Sequence, residues 1–385
     1  MLEHDLIQLI STHAQAPASQ IRRQPRLWRE VATLYRDAVE DINSLMGRAR
    51  AAAGVLDGNE AQDGVGGQLL VVLTGSGLAL NAAQAACNAA VARPVQGCDF
   101  TCVSCADLAS APADYVRDQE TVLLVALSRG DDDDLASAIA QVRSQTKNLF
   151  VLGVTCSSED PLAAALAPED DGLVVALPLA ASPADDASTA PISAEPVQLA
   201  GFTCLALFTT LCLDTAPLAE KLAHANQAAA MGDKVIMDEA ALASLALSPF
   251  DALCVLSDGP AFTGVAREAC DEAKNFPGLA ERSIQVRAGD IQSAALDSQV
   301  LHDALGVALV GGSDDDRADQ VAALQEMDEV AADNGCTLVA LQPQQAPHFT
   351  GRGFTFDGFA ELPASYLGLP YLMAVQVLLL AASVK

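Results

Sequence analysis

Leu69–Ala83, LLVVLTGSGLALNAA, joins an uncharged apolar run to an alanine-rich helical pattern through Gly75-Ser76-Gly77. The run reads as a buried parallel strand, the glycines as a tight turn, and the alanines as the start of a helix. Such a turn aims free backbone N–H groups at one point, at the positive end of the helix, and suits an anion such as phosphate. Glycines between a strand and a helix can equally serve the turn alone. A second copy of the pattern later in the chain adds weight to the anion reading.

From Gln68 onward, strand and helix patterns alternate. Candidate strands are Leu69–Leu73, Phe100–Val103, Thr121–Leu127, Leu149–Thr155 and Leu173–Leu177. This is the pattern of βαβ units and a parallel sheet. Residues 180–197, rich in Pro, Ser, Ala and Asp, read as a loop, and Val197–Leu213 and Leu218–Met231 as helices. The cycle restarts at Ala252, with strands expected at Leu253–Leu256, Ser283–Val286, Gly306–Val310 and Thr337–Leu341 and helices at Gly264–Asn275 and Ala318–Asn334.

The two halves read as copies. Each has a glycine turn after its first strand, Gly75 in one and Gly259 in the other. Each has a later strand that ends in an acidic turn, LSRGDDDD (127–134) and LVGGSDDD (309–316). The spacing from Gly75 to Asp131 matches that from Gly259 to Asp314 to within one residue. The expected architecture is α/β, with an N-terminal helical segment over 1–50, a first module over 51–232 and a second over 233–385 with a C-terminal helix. Residues 51–67, rich in Gly and Asp, serve as a linker. In doubly wound sheets, ligands bind outside the carboxyl ends of the strands.

Composition narrows the partners. The chain of 385 residues is 51% hydrophobic but only 4% aromatic, so its cores are built from Ala, Leu and Val. A net charge of −29 disfavours nucleic acid and anionic membranes, which need a basic footprint. The N-terminus MLEHDLIQLI has no basic n-region, which argues against a secretory signal and for the cytoplasm. Tyr366–Val384 is uncharged and nearly long enough to span a bilayer, but Gly368, Pro370 and Gln376 interrupt it, and a buried terminal helix is expected. The ten cysteines are scattered through apolar patterns and read as reduced and buried. Cys102-Val-Ser-Cys105, with Cys98 upstream, has redox or zinc spacing but no second pair and no nearby His. Zinc or redox chemistry is not expected there.

Several segments resemble the sugar isomerase (SIS) family in its two-domain form, closest to the tagatose-6-phosphate ketose/aldose isomerases and galactosamine-phosphate deaminases. IRRQPRLW (21–28) resembles the opening I-R-x-Q-P-x-x-W. VVLTGSGLAL (71–80) resembles the first phosphate turn L-T-G-A-G-T-S. CADLASAPADYV (105–116), LSRGDDDD (127–134), VTCSSEDPLA (154–163) and GVAREACDEA (264–273) sit where the family has T-D-L-V-x-x-P-x-x-Y, S-R-S-G-N-S-P-E, I-T-C-N-x-x-G-x-L and G-x-A-R-E-x-A-L-K. The resemblance covers nearly the whole chain. It implies two tandem doubly wound parallel-sheet SIS modules, a sugar phosphate in the first, catalytic side chains from the second, no metal or organic cofactor, and a homodimer. The implied ligand-binding residues are Gly75, Ser76, Gly77, Ser128, Arg129, Gly130 and Arg267.

The chemistry of that family is thinned out here. Moving a proton between adjacent sugar carbons needs a carboxylate base. The family's base falls at Lys274 or Asn275, neither a carboxylate. Glu268 and Glu272 are the nearest acids and the candidate catalytic residues, although Glu272 is expected on a different helical face from that position. Glu268 can equally serve in an ion pair. The family's ring-opening His falls at Ala288, and His302 is the nearest His in sequence. Leu78 and Ala79 replace hydroxyl residues of the first phosphate turn.

Asp131–Asp134 replace a Ser-rich second turn. One acid about 4 Å from a phosphate charge costs about 1 kcal/mol in water and about 4 kcal/mol at an effective dielectric of 20. A helix dipole returns only about 0.3–1 kcal/mol. Acids at a helix start can also simply stabilise the helix. The expectation is a SIS-type protein that binds a sugar phosphate or related small molecule with weakened or lost catalysis. The alternative is an active isomerase or deaminase with relocated residues.

Overall fold

The computed structural model describes residues 15–55, 67–130, 133–166, 171–177, 179, 199–246, 250, 252–257, 260–276, 282–287, 303–311, 319–325, 327–328, 335–345 and 351–384. The chain divides into two compact modules. The first takes in Glu30–Pro191 and Pro196–Leu222; the second takes in Met1–Arg29 and Ala223–Lys385 with Ile192–Glu195.

Helix α1 (Gln15–Ala52) contributes residues 30–52 to the first module. There follow β1 (Leu69–Gly75), α2 (Leu78–Ala92), β2 (Cys98–Ser104), α3 (Cys105–Ser110), β3 (Thr121–Ser128), α4 (Asp133–Gln145), β4 (Asn148–Thr155), α5 (Leu162–Ala165), β5 (Asp171–Ala176) and α6 (Leu199–Leu213). The strands form one parallel sheet in the order β2-β1-β3-β4-β5. All eight residues of β3 are buried, as expected where helices cover both faces of a parallel sheet. Val72, Leu124, Ala126, Ile139 and Val142 form the core on one face. Every residue of α6 is buried, which explains why its sequence shows no polar side.

Helix α7 (Leu218–Met237) crosses from one module's residues to the other's, and it runs past the expected end at Met231. The second module adds α8 (Glu239–Leu245), β6 (Ala252–Ser257), α9 (Thr263–Ala273), β7 (Arg282–Arg287), β8 (Ala304–Leu309), β9 (Thr337–Gln342), β10 (Arg352–Thr355) and α10 (Ala364–Ser383), with further helical residues at 319–325. Its parallel sheet runs β7-β6-β8-β9-β10. Strand for strand this repeats the order of the first sheet. The four-residue strand β10 and the short helix α8 were not anticipated. The 180–197 loop, the turn at Gly259 and most of the 51–67 linker lie outside the described residues.

α10 is the one described helix long and apolar enough to cross a membrane, and 89% of its apolar window is buried inside the protein. It is a core helix of the second module. The IRRQPRLW segment belongs to the same module and packs through its apolar side. Ile21, Gln24, Leu27 and Trp28 are buried, while Arg22 and Arg26 are exposed. A Cβ on Gly232 of α7 would sit 2.8 Å from Trp28 and 2.9 Å from Pro25, so this glycine lets the helices meet. Arg29 pairs with Asp233, but the buried contact of the segment is apolar.

Candidate functional site

In the first module, three turns follow the carboxyl ends of adjacent strands β1, β3 and β4. Gly75 closes β1. A Cβ there would lie 2.8 Å from the carbonyl carbon of Ala79 and 2.9 Å from the nitrogen of Leu80, so only glycine lets α2 start this close to the strand. Gly77 takes φ +52° and precedes α2, whose start carries no side-chain cap. Ser76 is half-buried. The Leu78 side chain reaches 3.5 Å from the place of a Cβ on Gly201 in α6. It fills core space and offers no hydroxyl to a ligand. Ala79 is fully buried.

At the end of β3, Ser128 is fully buried, and its hydroxyl accepts from the N–H of Gly130 at 2.9 Å. Gly130 adopts φ +116°, and a Cβ there would lie 2.7 Å from Cβ of Ser157 in the next turn. That turn is braced in its own right. The N–H of Ser157 donates to the Thr155 hydroxyl at 3.1 Å, that hydroxyl donates to Asp160, and Asp160 accepts from the N–H of Leu162 at 2.7 Å. Arg129 is half-buried. Asp131 and Asp132 lie outside the described residues; Asp134 is exposed on the first turn of α4.

The structure thus brings Gly75, Ser76, Gly77, Ser128, Arg129 and Gly130 to one sheet edge. What this edge can do chemically is receive an anion on backbone N–H groups at an uncapped helix start. The buried hydroxyl of Ser128 accepts from the Gly130 N–H, and that bond leaves its own O–H as a donor.

Glu268, Glu272 and Arg267 lie on α9 of the second module. Arg267 is exposed, whereas Glu268 and Glu272, one helical turn apart, are both buried. Gln376 of α10 donates to both carboxylate oxygens of Glu272, and Gln24 donates to Gln376 at 2.6 Å. Burial pushes the Glu272 carboxyl well above its usual range; the charge of Glu268 adds to the rise, and the bonds from Gln376 oppose it. Lys274 and Asn275 are exposed, and Lys274 pairs with Asp271 at 2.9 Å. Ala288 and His302 lie outside the described residues. Sequence reasoning read Gln376 only as an interruption of an apolar run and gave Gln24 no role of its own.

Among the described residues, no group of three His, Cys, Asp or Glu side chains could hold a metal ion. None of the ten cysteines, Cys98, Cys102 and Cys105 included, forms a disulfide.

Solved structures share this fold. Tagatose-6-phosphate ketose/aldose isomerase from Escherichia coli superposes with a TM-score of 0.76 at 16% identity, over 96% of this chain and 92% of that one. A Clostridium novyi protein provisionally assigned the same activity gives 0.79 at 16% identity, over 100% and 92%. The C-terminal domain of glucosamine-fructose-6-phosphate aminotransferase from Francisella tularensis gives 0.64 at 11%, over 96% and 95%. No family model and no curated protein matches the sequence. At these identities the likeness shows the fold: two tandem SIS modules, as the motifs implied.

Proposed function

We propose that this tandem SIS-fold chain binds a sugar phosphate at the carboxyl-end turns of its first module and does not isomerise it. The observation that carries the binding half is the uncapped start of α2, reached through a residue that must be glycine. The structural relatives include proteins named for tagatose 6-phosphate and glucosamine 6-phosphate, which suggests the ligand class. The catalytic half rests on the second module. The two positions where the family carries its base are an exposed lysine and an exposed asparagine, and the adjacent Glu272 is enclosed and hydrogen-bonded to Gln376. A base must reach the carbon-bound proton it removes.

A second reading keeps the enzyme active, with Glu268 or Glu272 as base and Arg129 or Arg267 on the phosphate. The raised carboxyl of Glu272 favours it, because strongly perturbed acid–base groups cluster at catalytic sites. In either reading the protein is taken as a cytoplasmic homodimer; light scattering on purified protein tests the dimer.

One experiment separates the two. Tagatose 6-phosphate, fructose 6-phosphate and galactosamine 6-phosphate are added in turn, with the free sugars as controls. Melting temperature and solvent deuterium uptake at C1 and C2 are followed together. The expected result is a rise in melting temperature with at least one phosphate ester and no deuterium uptake. Deuterium uptake that disappears in Glu268→Gln or Glu272→Gln would establish the active reading. No binding to any of the three would end both.

A further inference from the structure

Leu69, Val71, Phe100 and Leu123, toward the amino ends of β1, β2 and β3, line a cavity of about 440 Å³ in the first module. It lies on the sheet face opposite the Val72–Leu124 core. Val71 and Gly75 stand about 13 Å of extended strand apart, so the cavity is separate from the glycine turns. Its volume falls within the usual range for small-molecule sites, about 300–1,000 Å³.

Two buried side chains build its polar end. Tyr35 of α1 is 1% exposed, and its ring meets Phe208 of α6 edge-on, with centroids 6.0 Å apart. Lys221 of α7 is 7% exposed and donates to the Tyr35 hydroxyl at 3.0 Å and to the Leu211 carbonyl at 2.9 Å. Both residues line the cavity. A phenol can donate as well as accept. The Tyr35 oxygen accepts from Lys221, and its own O–H has no acceptor among the described residues. Burial raises this phenol above its ordinary range, with Cys212 and Asp214 adding to the rise, so the O–H keeps its proton. Arg50 and Asp214 line the same cavity, and Asp214 acts on the charge of Lys221, so both signs of charge stand at this end. A ligand is therefore read here through its hydrogen bonding rather than its charge. Buried donors are normally paired, and what the phenol lacks is an acceptor.

We propose that this cavity binds an uncharged molecule with one hydrogen-bond acceptor on an apolar body, of the ketone class. The carbonyl oxygen accepts from the Tyr35 hydroxyl, and the hydrocarbon lies against Leu69, Val71, Phe100 and Leu123. The phenol replaces the water that the carbonyl gives up on entry. A hydrocarbon of the same outline leaves the buried O–H unmet. A charged ligand gives up hydration that the apolar walls do not return. Gly47 of α1 lines the cavity, is exposed, and has no atom within 4 Å of the place a Cβ would take. A bulky side chain there obstructs the chamber without displacing packed atoms, and replacing a helical glycine does not weaken the helix.

The test titrates the full-length protein with acetophenone and with ethylbenzene, which has the same outline without the carbonyl oxygen. Benzoate and benzylammonium are the charged controls. Calorimetry and melting temperature follow each. Acetophenone is expected to bind saturably and raise the melting temperature, with ethylbenzene and both ions at least tenfold weaker. Tyr35→Phe removes only the hydroxyl and is expected to level acetophenone with ethylbenzene. Should that variant fail to fold, Gly47→Trp locates the site: it is expected to weaken acetophenone at least tenfold while melting like the parent protein without ligand. No saturable acetophenone binding, equal binding of ethylbenzene or of either ion, a preference for acetophenone that survives in Tyr35→Phe, or unchanged affinity in Gly47→Trp would each overturn the proposal.

Discussion

The side-chain amide of Gln376 donates to both carboxylate oxygens of Glu272, at 3.0 and 2.9 Å, inside the second module. An amide is a neutral partner, so it satisfies the oxygens without supplying a countercharge. With Glu268 one turn away, the folded chain favours the protonated form of Glu272. That sets the direction of its contribution to stability.

Glu272 keeps its proton in the fold at pH values where the unfolded chain has released it. Stability is therefore lost as pH rises above the ordinary carboxylate range, until Glu272 ionises in the fold as well. Glu272→Gln removes this titration. Its melting temperature is expected to exceed that of the parent protein at pH 7–8, with the gain shrinking toward pH 4. Each kcal/mol reads as about 2–4 °C for a module of this size. A parent advantage that grows with pH would show that Glu272 is charged in the fold.

Gly232→Ala tests the seat of the IRRQPRLW segment. The new methyl meets the rings of Trp28 and Pro25 at 2.8 and 2.9 Å, and neither can step aside within its helix. Overpacking costs about 1–3 kcal/mol, enough to outweigh the gain in helix propensity of about 1 kcal/mol. Denaturant melts are expected to show net destabilisation, larger for Gly232→Val.

The β3 turn can be probed by two substitutions of different severity. Ser128→Ala removes the acceptor of the Gly130 N–H and is expected to cost about 1 kcal/mol. Gly130→Ala forces a side chain into φ +116° and against Ser157. It is expected to cost about 1–3 kcal/mol and to reduce the sugar-phosphate melting shift more than Ser128→Ala does. Thermal melts with and without ligand measure both.

Thiol reactivity reads the packing of both modules. Cys98, Cys102 and Cys156 are half-buried, and the other seven cysteines are buried. Burial pushes the Cys87 and Cys336 thiols up to about 11 and those of Cys254 and Cys270 up to about 12. With dithiobis-nitrobenzoate at pH 8, no more than three thiols are expected to react quickly in the native protein, and all ten in guanidinium. Fast reaction of more than three would show that the cores open on the assay's timescale.

The strands were legible wherever an apolar run ended in a turn residue. Thr121–Ser128 is such a run, and it sits at the centre of its sheet. Arg352–Thr355 has only one buried residue in four and a single neighbouring strand, so periodicity had little to register. The glycines of the β1 and β3 turns were readable because backbone geometry allows little else there. The C-terminal apolar run is a buried helix, as expected, and its interruptions serve packing. A Cβ on Gly368 would sit 2.7 Å from Val265, and Gln376 serves Glu272. The cavity that Lys221 lines in the first module was not legible, because it gathers side chains from α1, β1, β2, β3 and the α6–α7 junction, which lie far apart in the sequence.

Gln24 and Gln376 are hydrogen-bonded across 352 positions of chain. During synthesis the residues of the first module emerge long before that bond can form, and domains generally fold as they leave the ribosome. Trp28 must wait, uncovered, until Gly232 of α7 has been translated, and Gln24 until α10 has. The nascent protein therefore carries a sticky amino-terminal patch through most of its production, and that patch is where a chaperone would first take hold.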